Sequence, residues 1–350
     1  MKRRERARLR QRGVTSVVFA LVLVFVLGGI MALVVDVGHL WEVRSELQNA
    51  ADSAALAGIR DLNGESARFP TAIGNARTYA ETHDANGSPV DVPASDVVLG
   101  KWDFTNKTFS PLQSPAYAVN AVRVTTRRSA TTGNAVATYF APLIGVTQRD
   151  VTAEAIAVGG GPSSACGFVL TIPSCSVYDA SGNLNCNGTL TFNSNSNNVA
   201  FTLLSLAAPN TPDIECSMAC AVGYYPEAHS PSGNCSCPSS NCASTSVGNG
   251  IRVGNGNNFS NNMISYIQWA IDNSPNGLYV QLPVFEFASC PAGNLSNTRT
   301  VTGYVRLRIT GATAAPEKSV SASIDCSHSS SSLPTQGFFG YKSTQVYLAK

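Results

Sequence analysis

The sequence has no cysteine before residue 166 and little charge anywhere, because Asp, Glu, Lys and Arg make up only 13% of its 350 residues. Charged residues normally account for about 25% of a globular domain. Asn, Ser, Thr, Gly and Ala fill the difference, a composition typical of β-structure and loops facing an extracytoplasmic medium. The net charge of +2 includes six net positive charges in a short leader, so the remainder is near −4. This balance argues against a nucleic-acid-binding surface.

Recognisable catalytic motifs are also missing. The sequence has no HExxH metal motif, no G-x-S-x-G nucleophile turn and no Walker-type phosphate loop, and its four histidines are scattered: His39, His83, His229 and His328. Residues 179–183 approach the D-x-S-x-S start of a metal-dependent adhesion site but lack its second serine, which favours a plain turn. We therefore predict a non-enzymatic protein without cofactor or metal. An exported hydrolase with dispersed catalytic residues is an alternative.

An uninterrupted run of 22 uncharged residues occupies positions 14–35. As a helix it is roughly 33 Å long, enough to cross the hydrocarbon core of a bilayer. Seven cations precede it: Lys2, Arg3, Arg4, Arg6, Arg8, Arg10 and Arg12. The positive-inside rule then predicts a cytoplasmic leader at residues 1–13, a single transmembrane helix at 14–35 and an exported body. A cleaved signal peptide is the alternative, but its apolar region is normally about 7–15 residues long, which favours an uncleaved anchor.

The helical pattern continues beyond the apolar run as an amphipathic extension over residues 36–62. Apolar and small residues recur every three or four positions and form one face that includes Ala50, Ala51, Ala54 and Gly58. We expect one helix over residues 12–62, ended by Asn63-Gly64. The small side chains permit close packing, either against a partner protein or against a sheet of this same chain.

The rest of the chain predicts an α+β fold in two parts. Residues 63–158 form a small α+β domain, with helices at 71–83 and 135–144 and strands at 97–102, 118–127 and 151–158. Residues 159–165 are a Gly/Pro/Ser linker. Residues 166–350 are a β-rich, cysteine-containing region with a helix at 263–271, an irregular loop module at 214–246, and strands at 166–172, 188–193, 199–206, 278–287, 301–310 and 319–325.

All ten cysteines lie in this second part: Cys166, Cys175, Cys186, Cys216, Cys220, Cys235, Cys237, Cys242, Cys290 and Cys326. An even number in an exported region indicates disulfides, and we predict a disulfide-rich region. Zinc binding is the alternative, since five of the cysteines are clustered. However, their spacings do not repeat the paired C-x2-C of zinc ribbons, and His229 is the only histidine among them. The sequence leaves the connectivity open.

Three stretches near the N-terminus form a specific combination. Residues 12–21 read RGVTSVVFAL, the apolar run ends in VVDVG at 34–38, and residues 47–58 read LQNAADSAALAG. Together they resemble the N-terminus of bacterial Flp pilus-assembly proteins of the TadE/TadG-like group. The following residues, 97–158, are similar to TadG-like members, through Gly100-x-Trp102-Asp103 and the FAPLIGV stretch at 140–146.

The resemblance implies a pathway and a location. It implies a non-enzymatic component of tight-adherence (Flp/Tad) pilus assembly, held in the bacterial inner membrane, whose partners are the lipid bilayer and other Tad components or pilin. In the pilin-like TadE group a glutamate that accompanies leader cleavage stands where this chain has Val18. The resemblance therefore favours a TadG-like protein that keeps its leader. An anchored or surface-exposed adhesin, with disulfide-tied loops as its binding surface, is the alternative.

Overall fold

The longest element is a single helix, α1, at Lys2–Asp61. No proline interrupts these residues, and the helix ends before Gly64, whose φ of +92° is a left-handed conformation that ends helices. The computed structural model describes residues 2–179, 182–186, 188–193, 198–224, 243–255, 259–287, 290, 294–335 and 337–349. Three further α-helices lie in these ranges: α2 at Phe69–Glu81, α3 at Thr211–Val222 and α4 at Asn261–Asp272. The predicted α+β class is confirmed.

Twelve strands build the two main sheets: β1 Val97–Asp103, β2 Thr108–Pro111, β3 Ala121–Arg128, β4 Val151–Val158, β5 Leu170–Pro173, β6 Thr189–Asn193, β7 Ala200–Thr202, β8 Gly250–Asn255, β9 Leu278–Phe285, β10 Asn297–Thr313, β11 Ser319–Ile324 and β12 Tyr347–Leu348. Shorter paired strands are Asp84–Ala85, Ser88–Pro89, Val136–Ala137, Gln148–Arg149, Gly161–Pro162, Ser164–Gly167, Ala243–Ser246, Ser329–Ser330, Pro334–Thr335 and Lys342–Ser343.

The first lobe consists of the second half of α1, α2 and an antiparallel sheet in the order β12-β4-β3-β1-β2. Strand β3 alternates buried Val122 and Val124 with the half-buried Arg123, so one face of the sheet meets the helices. Every third or fourth residue of α1 from Val43 to Ile59 is buried in this core. The same 3.6-residue period seen in the sequence therefore places α1 on the sheet.

The second lobe contains the other sheet, in the order β6-β11-β10-β8-β7-β5-β9. Strand β9 also pairs with β10, so five of the seven strands close into a ring. Its core is filled by large side chains such as Phe192, Ile172 and Leu307, and by α3 and α4 through Met218 and Ile267. Closure matters because it leaves fewer unpaired strand edges.

Two local predictions were wrong. Residues 135–144 do not form a helix: Val136–Ala137 is a strand paired with Gln148–Arg149, and only Ala141–Ile144 is helical, as one 3-10 turn. Pro142 lacks an N–H, and Gly145 has φ of +86°, so an α-helix cannot continue through this segment.

The second wrong prediction was the irregular loop at residues 214–246, because its first part is the C-terminal portion of α3. The side chain of Asn210 accepts a hydrogen bond from the N–H of Asp213 at 2.9 Å, and Pro212 lies in the first turn. Asn followed by Thr-Pro-Asp is a helix-start signal, and we missed it in the sequence. Residues 225–242 of that predicted module lie outside the described part of the chain.

The predicted linker is in contact with the C-terminal part of the chain. Residues 159–162 are buried, and Gly161–Pro162 pairs with Pro334–Thr335. The N–H of Gly161 also donates to the carbonyl of Gly337 at 2.8 Å. These contacts join the two lobes at the point where the sequence changes composition.

Candidate functional site

The small-residue face of α1 lies in the interior of the first lobe. Ala50, Ala51 and Ala54 have no exposed surface, and the position of a Cβ on Gly58 would be 3.1 Å from the carbonyl oxygen of Ala72 on α2. Small residues are needed here because α1, α2 and the sheet approach one another closely. This face therefore contacts the chain's own helix and sheet.

Polar contacts fix the rotation of α1 on the sheet. The Thr126 hydroxyl of β3 donates to the carbonyl of Leu47 at 2.9 Å, and the Gln48 amide donates to the carbonyl of Glu154 in β4 at 3.1 Å. Both bonds join residues far apart in sequence. They make the second half of α1 an integral part of the lobe.

The first half of α1 is different because nothing in the described part of the chain covers it. Its large apolar side chains from Val17 to Val35 are all exposed, and this helix is long and apolar enough to cross a membrane. In water such a surface would be strongly unfavourable. The single long apolar helix indicates a membrane-anchored protein.

Asp36 marks the boundary between the exposed and the packed part of α1. Its carboxylate is buried and accepts hydrogen bonds from the N–H groups of Tyr139 at 2.7 Å, Phe140 at 3.1 Å and Ala141 at 2.7 Å. Burial raises the pKa of this carboxyl group, but the three N–H donors and nearby His39 lower it, and the net pKa lies below the ordinary 3.8. Asp36 is thus an ionised clamp between α1 and the 139–141 backbone.

The sequence contains both halves of this clamp but no sign that they pair. Asp36 is the first charged residue after the apolar run, and the FAPLIGV stretch at 140–146 was part of the family resemblance. A lone acid beside an apolar run and a Pro/Gly turn 100 residues later carry no pairing information. Only the fold brings them together.

Two disulfides tie the second lobe: Cys175–Cys290 and Cys186–Cys326. Cys166, Cys216 and Cys220 are disulfide-bonded as well, and no described cysteine is free. Cys235, Cys237 and Cys242 lie outside the described residues, as does His229. Within the ranges that the structure describes, no group of three or more His, Cys, Asp or Glu is arranged to hold a metal ion.

A cleft of about 700 Å³ lies between the lobes. Its walls include Lys101 from β1 and Tyr117 from the first lobe, and Glu286 and Phe339 from the second. The ring of Tyr117 stacks on that of Tyr178 with centroids 4.2 Å apart. Burial, with a smaller effect of Glu286, raises the pKa of Tyr117, so its hydroxyl is neutral at physiological pH. Among the described lining residues only Lys101 and Glu286 carry a charge, and apolar side chains such as Phe104 and Phe339 surround them, so the cleft suits binding of a chain segment better than acid–base chemistry.

The first lobe is similar to two known families. Residues 13–68 match the family described as putative Flp pilus-assembly TadE/G-like, and residues 46–157 match the family described as putative Tad-like Flp pilus-assembly. Together the matches span residues 13–157, which confirms the resemblance for α1 and most of its sheet. No curated protein and no solved structure matches the chain significantly.

Proposed function

We propose that this chain is a membrane-anchored, non-enzymatic component of Flp/Tad pilus assembly. One observation carries the proposal: the family matches over residues 13–157 include most of the anchor helix and most of the sheet on which it packs. The apolar half of α1 holds the protein in the inner membrane. The seven cations before it keep the leader in the cytoplasm and place both lobes in the periplasm.

In this proposal the two lobes have different tasks. The first lobe is the part that matches the family, and its role is to hold the anchor helix in a fixed orientation relative to the rest of the protein. The second lobe, with its disulfides and its side of the cleft, contacts other Tad components or pilin. Because the small-residue face of α1 is used inside the chain, the partner contacts lie elsewhere, on the outer surfaces of the lobes.

The test is an in-frame deletion of the gene, complemented with the wild-type chain. We expect fewer surface pili and less adherence, restored by complementation, while secretion of an unrelated exported protein is unchanged. A deletion strain with normal pili and normal adherence contradicts the proposal. Reporter fusions after Gly64 test the orientation separately, since an exported-form reporter should be active there and a cytoplasmic one inactive.

An anchored or surface-exposed adhesin is a second candidate. It is favoured by the disulfide-tied second lobe and by the open cleft, which lie mostly outside the matched residues. Protease added to intact cells separates the two functions. Degradation of the second lobe from outside supports the adhesin, whereas protection until the outer membrane is permeabilised supports a periplasmic assembly component.

A further inference from the structure

An exposed apolar loop projects from the first lobe beside the anchor helix. Tyr139, Leu143 and Ile144 are 65%, 85% and 82% exposed, and Phe140 is also uncovered. Four large apolar side chains within six residues are unusual on a surface that faces only water. The Asp36 carboxylate accepts hydrogen bonds from three consecutive N–H groups at the start of the loop. The fold therefore attaches the loop to α1 at this point.

The position of the loop relates it to the membrane anchor. Asp36 directly follows Val35, the last residue of the exposed apolar run. One residue of helix corresponds to about 1.5 Å along the axis, so the start of the loop lies at the level where α1 leaves the apolar layer. The ring of Tyr139 also lies 5.2 Å from that of His39, one turn further along α1.

The surrounding residues have the composition of a membrane interface. Residues 130–149 contain no acid, and their single charge is Arg149. Trp41, about 7.5 Å further along the axis of α1 than Asp36, is exposed, and Arg44 lies 5.9 Å from its ring. Tyr and Trp are enriched where the apolar layer meets the headgroups, and cations there are attracted to lipid phosphates.

We infer that residues 139–144 insert into the periplasmic headgroup region of the bilayer that α1 spans. The loop is a second membrane contact, and the Asp36 clamp couples it to the anchor. Two membrane contacts restrict the tilt and rotation of the first lobe. With α1 as the single contact, the lobe could rotate about the point where α1 leaves the bilayer. The inference rests on the proposed anchoring, and it adds a lipid-binding surface to it.

Site-specific photo-crosslinking tests this in the full chain. A diazirine amino acid replaces Leu143 or Ile144, and the protein is reconstituted in vesicles of phosphatidylethanolamine and phosphatidylglycerol. The matched control is Leu206, which is equally apolar, 67% exposed and located in the second lobe. Phe19, in the exposed apolar part of α1, reports on the anchor itself. These positions are exposed, so the replacements leave the core intact.

We expect lipid adducts from positions 143 and 144 at yields comparable with position 19 and several-fold above position 206. Lipid adducts from position 19 without any from 143 and 144 overturn the loop insertion and leave the anchoring standing. Adducts from 143 and 144 to a second copy of the chain overturn it in favour of a protein interface. Absence of lipid adducts at position 19 contradicts the anchoring, and the loop inference fails with it.

Discussion

Tyr347 pairs with Val158, so β12 becomes an edge strand of the sheet formed by β1 to β4. The N–H of Ala349 adds a hydrogen bond to the carbonyl of Ile156 at 2.7 Å. The chain leaves the first lobe after β4, builds the second lobe, and then returns to complete the sheet on which α1 packs. The stability of the anchor-bearing lobe therefore depends on residues nearly 190 positions further along the sequence.

The junction between the lobes should not tolerate a side chain at Gly160. This residue has φ of +147°, and a Cβ there would lie 1.9 Å from the carbonyl oxygen of Thr335. We expect Gly160→Ala to destabilise the protein by about 1–3 kcal/mol or more, because backbone would have to move. Chemical denaturation of this variant and of the wild type measures the effect.

Gly74→Ala is the matched control for this change. Gly74 lies in α2 with no atom within 4 Å of its Cβ position, so Ala should stabilise the protein by roughly 0.5–1 kcal/mol. Equal stabilities for the Gly160 variant and the wild type would mean that the 159–162 junction is not packed against the C-terminal segment.

The predictable parts of the fold were those with a strong local signal. The length and uniformity of residues 14–35 and the spacing of Leu47, Ala51 and Ala54 were sufficient to predict α1, and alternation was sufficient for β3 and β4. The ring closure by β9 and β10 and the return of β12 depend on pairings between distant segments. Such pairings have no periodic signature, because a two-residue strand such as Tyr347–Leu348 has no pattern to detect.

The candidate site also has one part that the sequence indicates and another that only the tertiary structure reveals. The small-residue face was visible in the sequence, but whether it meets a partner or the chain's own sheet depends on tertiary packing. The Asp36 clamp could not be predicted from the sequence, because its acceptor and its donors are separated by more than 100 residues. The clamp also helps to explain why the helix predicted at 135–144 does not form. The N–H groups of residues 139–141, which would donate to carbonyl groups within such a helix, donate to the Asp36 carboxylate instead.

Overfilling the small-residue face should destabilise the first lobe. Ala54→Leu adds three carbons at a position with no exposed surface, and we expect a loss of about 1–3 kcal/mol in the free energy of unfolding. Ser45→Leu is the control, because it introduces the same side chain at an exposed position of the same helix and should change stability by less than about 0.5 kcal/mol. Similar losses from both would argue that α1 packs with a different face.

The disulfide between Cys186 and Cys326 should be a major source of stability for the second lobe. It closes a segment with a sequence separation of 140 residues, and its removal in a Cys186→Ala/Cys326→Ala variant should cost about 2–5 kcal/mol. The single Cys186→Ala variant checks the pairing. It should gain a free thiol on Cys326, detected by thiol labelling and peptide mapping after denaturation without reductant. Labelling at a different cysteine would contradict this pairing.

The loop at Tyr139–Ala141 should loosen on acidification because of Asp36. The folded pKa of Asp36 is below its ordinary value of 3.8, so its ionised form stabilises the fold. That contribution is fully present above pH 3.8 and is lost as the pH falls through the lowered folded pKa. We expect hydrogen exchange to show protected Tyr139, Phe140 and Ala141 amides at neutral pH. After correction for intrinsic rates, their protection should fall selectively as Asp36 is protonated.

Two variants show whether this response belongs to the clamp. Asp36→Ala should remove the protection of these three amides at neutral pH and abolish its acid dependence, since no carboxylate remains to accept their hydrogen bonds. Asp84→Asn removes the same charge at an exposed position and should leave both unchanged. If the three amides keep their protection in Asp36→Ala, the loop is held by other contacts, because a clamp cannot act without its acceptor.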